Sequence, residues 1–170
     1  IASFLSFFNK YFPNSWEFHL YGAGQEFDSL SKFSNENILI NEYLSRNQLE
    51  QVTNDIPFAL VCLDYEITIE GFPGKTFDYL NMNKVLINFS NPQSAVSELI
   101  NNYGLGFNID MNAPEDFTST LEQMKNPEKI NTILENIKNF QSNISNKEIV
   151  YKKYMTLISP SSWKNWNNSF

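Results

Sequence analysis

Cysteine, histidine and basic residues are all scarce in this sequence, and each scarcity excludes a kind of site. With a single cysteine, Cys62, the chain cannot form an internal disulfide or a metal site of several cysteines. With a single histidine, His19, a histidine-rich metal site is also excluded, so we predict no metal. Only 12 Lys and Arg residues stand against 19 Asp and Glu, for a net charge of -7. That balance is the opposite of the basic surface of a duplex nucleic-acid binder, so nucleic acid is not an expected partner.

Long apolar runs are missing as well, whereas aromatic residues are abundant. No run reaches the 18 residues of a membrane-spanning helix candidate. The 170 residues are 42% hydrophobic and 15% aromatic, a composition that argues against disorder. A chain of this length can bury a substantial core. We expect one domain over residues 1–158 and a tail over residues 159–170. In the tail, Trp163 and Trp166 are expected to pack against other residues, such as those of a neighbouring domain.

Apolar runs of strand length alternate with helical patterns along the chain. We predict strands at 16–21, 37–41, 57–63, 84–89 and 104–109, because each is short and rich in β-forming or apolar residues. The segments between them carry helical spacing and helix-start signals at Ser45, Asn91-Pro92 and Pro127, and a final amphipathic helix is predicted at 147–158. This alternation is typical of a parallel, doubly wound, Rossmann-like α/β sheet.

One short helix start combines groups that could hold a nucleotide. Gly74 is predicted to open a helix, and Lys75 and Asp78 are three residues apart in its first turns. A helix N-terminus favours an anion, and a lysine placed against the helix dipole there is explained if a phosphate lies between them. Asp78 could accept two hydrogen bonds from a ribose diol. The alternative is a solvated Lys and Asp on an ordinary helix.

Two further loops follow predicted strands. Gly22 and Gly24 form a Gly-x-Gly turn that could approach a diphosphate, or could be a plain strand-to-helix turn. Phe27 stands where a dinucleotide fingerprint has its third glycine, which argues against an NAD enzyme. Asn41 and Tyr43 would lie at the carboxyl end of the sheet, where open α/β folds bind ligands.

The ordered set of these motifs resembles the donor-binding, C-terminal half of GT-B glycosyltransferases. That family carries a helix of the pattern G-x-P-x-K-x-x-E/D-Y-L followed by a strand x-K-P-V-I. The matching positions here are Gly71, Pro73, Lys75, Asp78, Tyr79, Leu80 and then residues 84–87. The segments 16–24, 38–44, 55–63, 97–99 and 103–107 resemble other family motifs in the same order, so the likeness covers about residues 1–125. Asp78 replaces the usual Glu, and Val85 replaces the usual Pro.

The resemblance implies a function and a set of site residues. Lys75 would contact the diphosphate of a nucleoside-diphosphate sugar, Asp78 the ribose, and Glu70 the sugar as one of a pair of acids. The chain would transfer a sugar to a glycan or other hydroxyl acceptor, as in bacterial polysaccharide biosynthesis, with no cofactor beyond the donor substrate. The missing N-terminal domain of the same parent chain would supply the acceptor site, so this segment alone would be inactive.

The location implied is cytoplasmic, and peripheral association of the full-length enzyme with the inner face of the membrane stays open. The rival hypothesis is a non-catalytic Rossmann-like module for protein association.

The start of the chain carries a further expectation. In the family, the first strand is central, between the strands predicted here at 16–21 and 57–63. The chain instead opens in the following helix. Three routes would satisfy the neighbouring strands: an upstream segment fills the gap, the two neighbours pair directly, or another copy lends a strand. We favour the upstream segment.

Overall fold

The computed structural model describes residues 1–67, 71–110, 112–113, 117–145 and 148–152. It is an α/β structure in which strands and helices alternate along the chain. The strands are β1 (Phe18–Gly22), β2 (Ile38–Glu42), β3 (Phe58–Cys62), β4 (Val85–Phe89) and β5 (Gly106–Ile109). The helices are α1 (Ala2–Tyr11), α2 (Phe27–Ser31), α3 (Arg46–Val52), α4 (Gly74–Asn81), α5 (Ala95–Tyr103), α6 (Phe117–Met124) and α7 (Pro127–Asn143).

The five strands form two parallel sheets. One sheet pairs β1 with β2, and the other has the order β3-β4-β5. Their registers align Phe18 with Ile38, Phe58 with Val85, and Leu86 with Gly106. The five predicted strands are therefore confirmed and parallel, but β1 and β3 do not pair with each other. Direct pairing of these two neighbours, one of the three routes considered, is thus not what the structure adopts.

The central strand of the larger sheet has helices on both of its faces. Phe89 in β4 contacts Phe4 of α1, with ring centroids 5.3 Å apart. The preceding residue, Asn88, is fully buried and donates a hydrogen bond of 2.9 Å to Ser97 Oγ of α5. Successive side chains of a strand point to opposite faces, so α1 and α5 lie on opposite sides of β4. This explains why all five residues of β4 are buried.

Helix α1 joins the two sheets through a cluster of phenyl rings. The ring of Phe4 also contacts Phe18 of β1, at 5.2 Å between centroids. Phe7 contacts both Phe89 of β4 and Phe117 of α6, at 5.2 and 5.1 Å. Aromatic side chains bury more apolar area than any others, so this cluster dominates the core between the sheets.

The helix ends follow the signals that the sequence carries. Ser45 and Gln48 form a capping box at the start of α3. The side chain of Asn126 caps α7, with Pro127 in its first turn. Helix α5 begins at Ala95, later than the predicted start near residue 91, because Ser94 is its N-cap. Residues 148–152 of the predicted last helix are helical, and the tail at 159–170 lies outside the described residues.

Candidate functional site

Those predicted site residues that the structure describes follow the ends of parallel strands or lie on the helix after β3. Gly22 is the last residue of β1, and its register partner Glu42 is the last of β2. Helix α4 follows β3 and begins at Gly74. Since all strands run the same way within each sheet, the loops that follow them gather at the carboxyl edge.

The start of α4 leaves its first turn free of a side-chain cap. Pro73 is the N-cap residue and contributes no side-chain hydrogen bond, because proline has no polar group to offer. A Cβ atom placed on Gly74 would meet nothing within 4 Å, so the approach to this helix end is open. Lys75 is exposed in the same turn and lines a cavity described below. The N–H of Thr76 donates to the main-chain oxygen of Pro73 at 2.9 Å, inside the first turn. The positive end of the helix dipole and the Lys75 ammonium both favour an anion at this helix start.

Asp78 lies on α4 and faces the start of α3. Its Oδ1 is 3.9 Å from Nη1 of Arg46, and Arg46 Nε is 3.0 Å from Glu50 Oε1. The hydrogen bond to Glu50, and then the charge of Asp78, raise the pKa of the Arg46 guanidinium. The side chain of Asp78 is 47% exposed, so the carboxylate pairs with Arg46 and is also open to solvent. Nothing in the local sequence indicates that Arg46 contacts Asp78, although Arg46 directly follows the predicted cap residue Ser45.

The two residues predicted on β2 differ in what they contact. Asn41 Nδ2 donates to the main-chain oxygen of Leu39 at 3.2 Å and to that of Leu20 at 3.5 Å. Its side chain therefore makes one hydrogen bond within β2 and one to the neighbouring strand β1. Tyr43 is 69% exposed and leaves its ring free at the carboxyl edge.

The two glycines of the Gly-x-Gly turn also differ. Gly24 has a φ of 129°, a conformation that L side chains rarely adopt, so glycine is required there. Gly22 has no such φ, and a Cβ on it would meet nothing within 4 Å. The turn thus requires glycine at its second position only. Glu70, the predicted acid, lies outside the described residues.

Lys84 is a buried lysine whose role the sequence did not reveal. It lies at the start of the strand predicted at 84–89, directly before β4. Its side chain is buried, and Nζ donates to the main-chain oxygens of Thr53 at 2.5 Å and Ile56 at 2.9 Å. Burial lowers the pKa of Lys84, partly offset by the charge of Asp55. The ammonium group satisfies carbonyls at the end of α3, in the turn that leads into β3.

A cavity of about 670 Å³ lies between the two sheets. Every residue of β3 and four residues of β1 line it, with side chains from α1, α3 and α4. Lys75 lines its wall, and so does His19. His19 is half-buried in β1, and its Nε2 is 3.0 Å from Glu17 Oε2. Burial raises the pKa of the Cys62 thiol, which also borders the cavity.

Comparisons with family models, curated proteins and solved structures found no match for this chain. Within the described ranges, no group of three or more His, Cys, Asp or Glu residues is arranged to hold a metal ion. No helix in the described part of the chain has the length and apolar character needed to cross a bilayer.

Proposed function

We propose that this chain is the nucleotide-sugar-binding half of a GT-B glycosyltransferase. The observation that carries the proposal is the start of α4, where an uncapped helix end and Lys75 meet at the carboxyl edge. The ordered motif resemblance over residues 1–125 supplies the family. The fold proposed with it is a single doubly wound, Rossmann-like sheet. The parallel order within each of the two sheets, and the helices on both faces of β4, support that fold.

The proposed chemistry is loss of a nucleoside diphosphate from the donor sugar. Negative charge develops on the leaving diphosphate, and Lys75 with the first N–H groups of α4 would stabilise it. These groups are fixed on a helix that packs against β3 and β4, so little reorganisation is needed. The acceptor hydroxyl would be bound mostly by an N-terminal domain of the parent chain. In this proposal Glu70 approaches the sugar. The enzyme acts in the cytoplasm, with or without peripheral contact with the membrane.

The proposed role of Asp78 requires an exchange of partners. The separation from Arg46 Nη1, 3.9 Å, is long for a charge-assisted hydrogen bond, and both side chains are largely exposed. An exposed ion pair of this kind contributes little stability. A ribose diol could therefore replace Arg46 as the hydrogen-bond partner of the Asp78 carboxylate. Arg46 would stay paired with Glu50 and lie near the nucleotide.

Calorimetric titration with UDP, GDP and ADP tests the proposal, and the matched variants are Lys75→Ala and Lys129→Ala. Lys129 is an exposed lysine on α7 and serves as the charge control. We expect binding of at least one nucleotide, weakened about ten- to hundredfold by Lys75→Ala, since a hydrogen bond to a charged group contributes roughly 1.5–3 kcal/mol. Lys129→Ala should leave the affinity unchanged. Equal losses in the two variants would remove Lys75 from the site.

The second candidate is a non-catalytic Rossmann-like module for protein association. Asn41 and Asp78, two of the predicted ligand residues, already make contacts within the chain, which favours this reading. It predicts no heat of binding for any nucleoside diphosphate. The same titration therefore separates the two candidates.

A further inference from the structure

A chain of hydrogen bonds crosses the side of β4 that faces α5. Asn88 Nδ2 of β4 donates to Asn108 Oδ1 of β5 and to Ser97 Oγ of α5, at 2.9 Å in each case. Ser97 Oγ donates in turn to the main-chain oxygen of Asn91 at 3.0 Å. Asn88 and Ser97 are buried, and buried polar groups joined in such a network rigidify the elements that carry them. The loop after β4, which contains Asn91, is therefore tied to two strands and to α5.

The side chain of Asn91 is held in one orientation within this loop. Its Oδ1 accepts a hydrogen bond from Gln93 N–H at 2.9 Å, which is an Asx turn. Its main-chain oxygen accepts from Ser94 N–H at 2.9 Å as well as from Ser97. Ser94 is buried and caps α5, so the loop leads directly into that helix. The Asx turn fixes the plane of the Asn91 amide, and with it the direction in which Nδ2 donates.

That Nδ2 group reaches the loop that follows β3. It donates to the main-chain oxygen of Tyr65 at 3.1 Å, across 26 residues of sequence. Tyr65 lies in the turn over residues 64–67, shortly after β3. Leu63, immediately before that turn, donates through its N–H to Phe89 O at 3.2 Å. The hydrogen bond from Asn91 therefore continues the connection between β3 and β4 past the ends of the two strands.

The turn and the loop of Asn91 both lie at the carboxyl edge of the β3-β4-β5 sheet, where open α/β folds bind ligands. The turn at 64–67 begins the connection from β3 to α4, whose first turn carries Lys75. Leu63 and Lys75 line the same cavity. Ordering a loose segment costs free energy when a ligand binds, so a turn that is already held favours binding.

We propose that Asn91 is a positioning residue of the nucleotide site, and that its Nδ2 group acts by holding the 64–67 turn in one place. Asn91 itself is not required to touch the ligand. The inference rests on the proposed function, since it concerns the same site, but a separate observation carries it, the hydrogen bond to Tyr65. Binding at that site would then depend on a residue of the loop after β4 as well as on Lys75 of α4.

Two variants of Asn91 remove the donor and keep the rest of the loop. Asn91→Asp retains Oδ1, which accepts from Gln93, but has no N–H group for Tyr65. Asn91→Ser is uncharged, retains an oxygen that can form the equivalent turn, and is too short to reach Tyr65. The matched control is Asn101→Ser, because Asn101 is exposed at the outer end of the network, where it accepts from Asn108 at 2.9 Å.

NMR order parameters of the backbone amides at 65–67 test the positioning without ligand. We expect about 0.85 in the parent chain and in Asn101→Ser, and values below about 0.6 in both Asn91 variants. The amides of β4 should stay rigid in all four chains. A flexible turn in the parent chain, unchanged order in the Asn91 variants, or a loss of order that extends equally into β4 would each overturn the role of Asn91 in holding the turn.

Calorimetric titration with UDP, GDP and ADP tests the consequence for the site. We expect Asn91→Ser to weaken the nucleotide affinity of the parent chain about three- to tenfold, the cost of ordering a few released groups, and Asn101→Ser to change it by less than about twofold. Equal affinities of the parent chain and Asn91→Ser would overturn the proposal. If the parent chain binds none of the three nucleotides, the proposed function fails, and with it the place of Asn91 in a nucleotide site. The order parameters still decide whether Asn91 holds the turn.

Discussion

Lys84 holds the turn before β3 through Thr53, whose main-chain oxygen accepts a hydrogen bond of 2.5 Å from Lys84 Nζ. A lysine at the start of β4 therefore fixes the chain that enters the neighbouring strand. Because Nζ also reaches the oxygens of Asn54 and Ile56, at 3.3 and 2.9 Å, one ammonium group satisfies three carbonyls.

We predict that Lys84→Met destabilises the chain although methionine can fill much of the same space. The variant leaves carbonyls without their charged donor, which should lower the free energy of unfolding by about 2 kcal/mol. Urea unfolding measures this, with Lys129→Met as the exposed control, expected to change stability by less than about 0.5 kcal/mol. If both variants unfold at the same urea concentration as the parent chain, the three hydrogen bonds contribute nothing measurable.

We predict that Asp78→Asn weakens UDP binding while leaving the affinity for pyrophosphate unchanged. The amide has lost the charge that strengthens hydrogen bonds to ribose hydroxyls, whereas the diphosphate contacts belong to Lys75. Calorimetry with the two ligands measures the separation. Glu50→Gln removes the other acid that pairs with Arg46 and serves as the matched control. A similar loss for both ligands would assign Asp78 to holding α3 against α4.

We predict that the Cys62 thiol makes the free energy of unfolding fall as the pH becomes alkaline. Burial raises the pKa of its thiol, so the folded chain keeps the proton after the unfolded chain has lost it. The stability contributed by the protonated thiol is complete below about pH 8.5, the ordinary pKa of cysteine, and is lost as the pH rises through the higher folded pKa.

The measurement is the difference in unfolding free energy between the parent chain and Cys62→Ala from pH 7 to 10.5. Taking this difference cancels the titration of Tyr79, whose pKa burial raises, and of Lys84, whose pKa burial lowers. We expect the parent chain to lose stability relative to the variant as the pH rises. A difference that stays constant with pH would show that the thiol ionises alike in both states.

We predict that Phe4→Ala is severely destabilising, by about 3–5 kcal/mol. Phe4 is 2% exposed and contacts rings of both sheets, so its removal leaves a cavity that neither sheet can fill alone. Phe72→Ala is the matched control, because Phe72 is 44% exposed. Denaturant unfolding compares the two, and equal small losses would mean that α1 does not hold the sheets together.

The strands were predictable from sequence because each is a short apolar run between turn residues. The run at 57–63 has no charged or amide residue, and the run at 84–89 has Lys84 at its start and Asn88 near its end. The structure buries Asn88, which donates a hydrogen bond to Ser97. Helix starts were predictable where a cap residue precedes the helix, as at Ser45 and Asn126. The start of α5 was placed too early because Pro92 was read as a helix start, whereas the cap is Ser94.

The site was less predictable, since side-chain partners from distant segments are not encoded in local spacing. The sequence placed Lys75 at a helix start, and α4 does begin at Gly74. It did not reveal that Arg46, 32 residues earlier, reaches Asp78. Nor did it reveal that Lys84 would be buried, because a lysine at a strand start is usually solvated.

The phenyl cluster of α1 has a consequence for the cooperativity of unfolding. Each sheet is built from its own contiguous stretch of chain, 18–42 for one and 58–109 for the other. Two such stretches could unfold in separate steps unless side chains that contact both of them couple their unfolding. Phe4 does so, because its ring contacts Phe18 and Phe89 at once. Loss of the Phe4 contacts should therefore make the unfolding of the two stretches less cooperative.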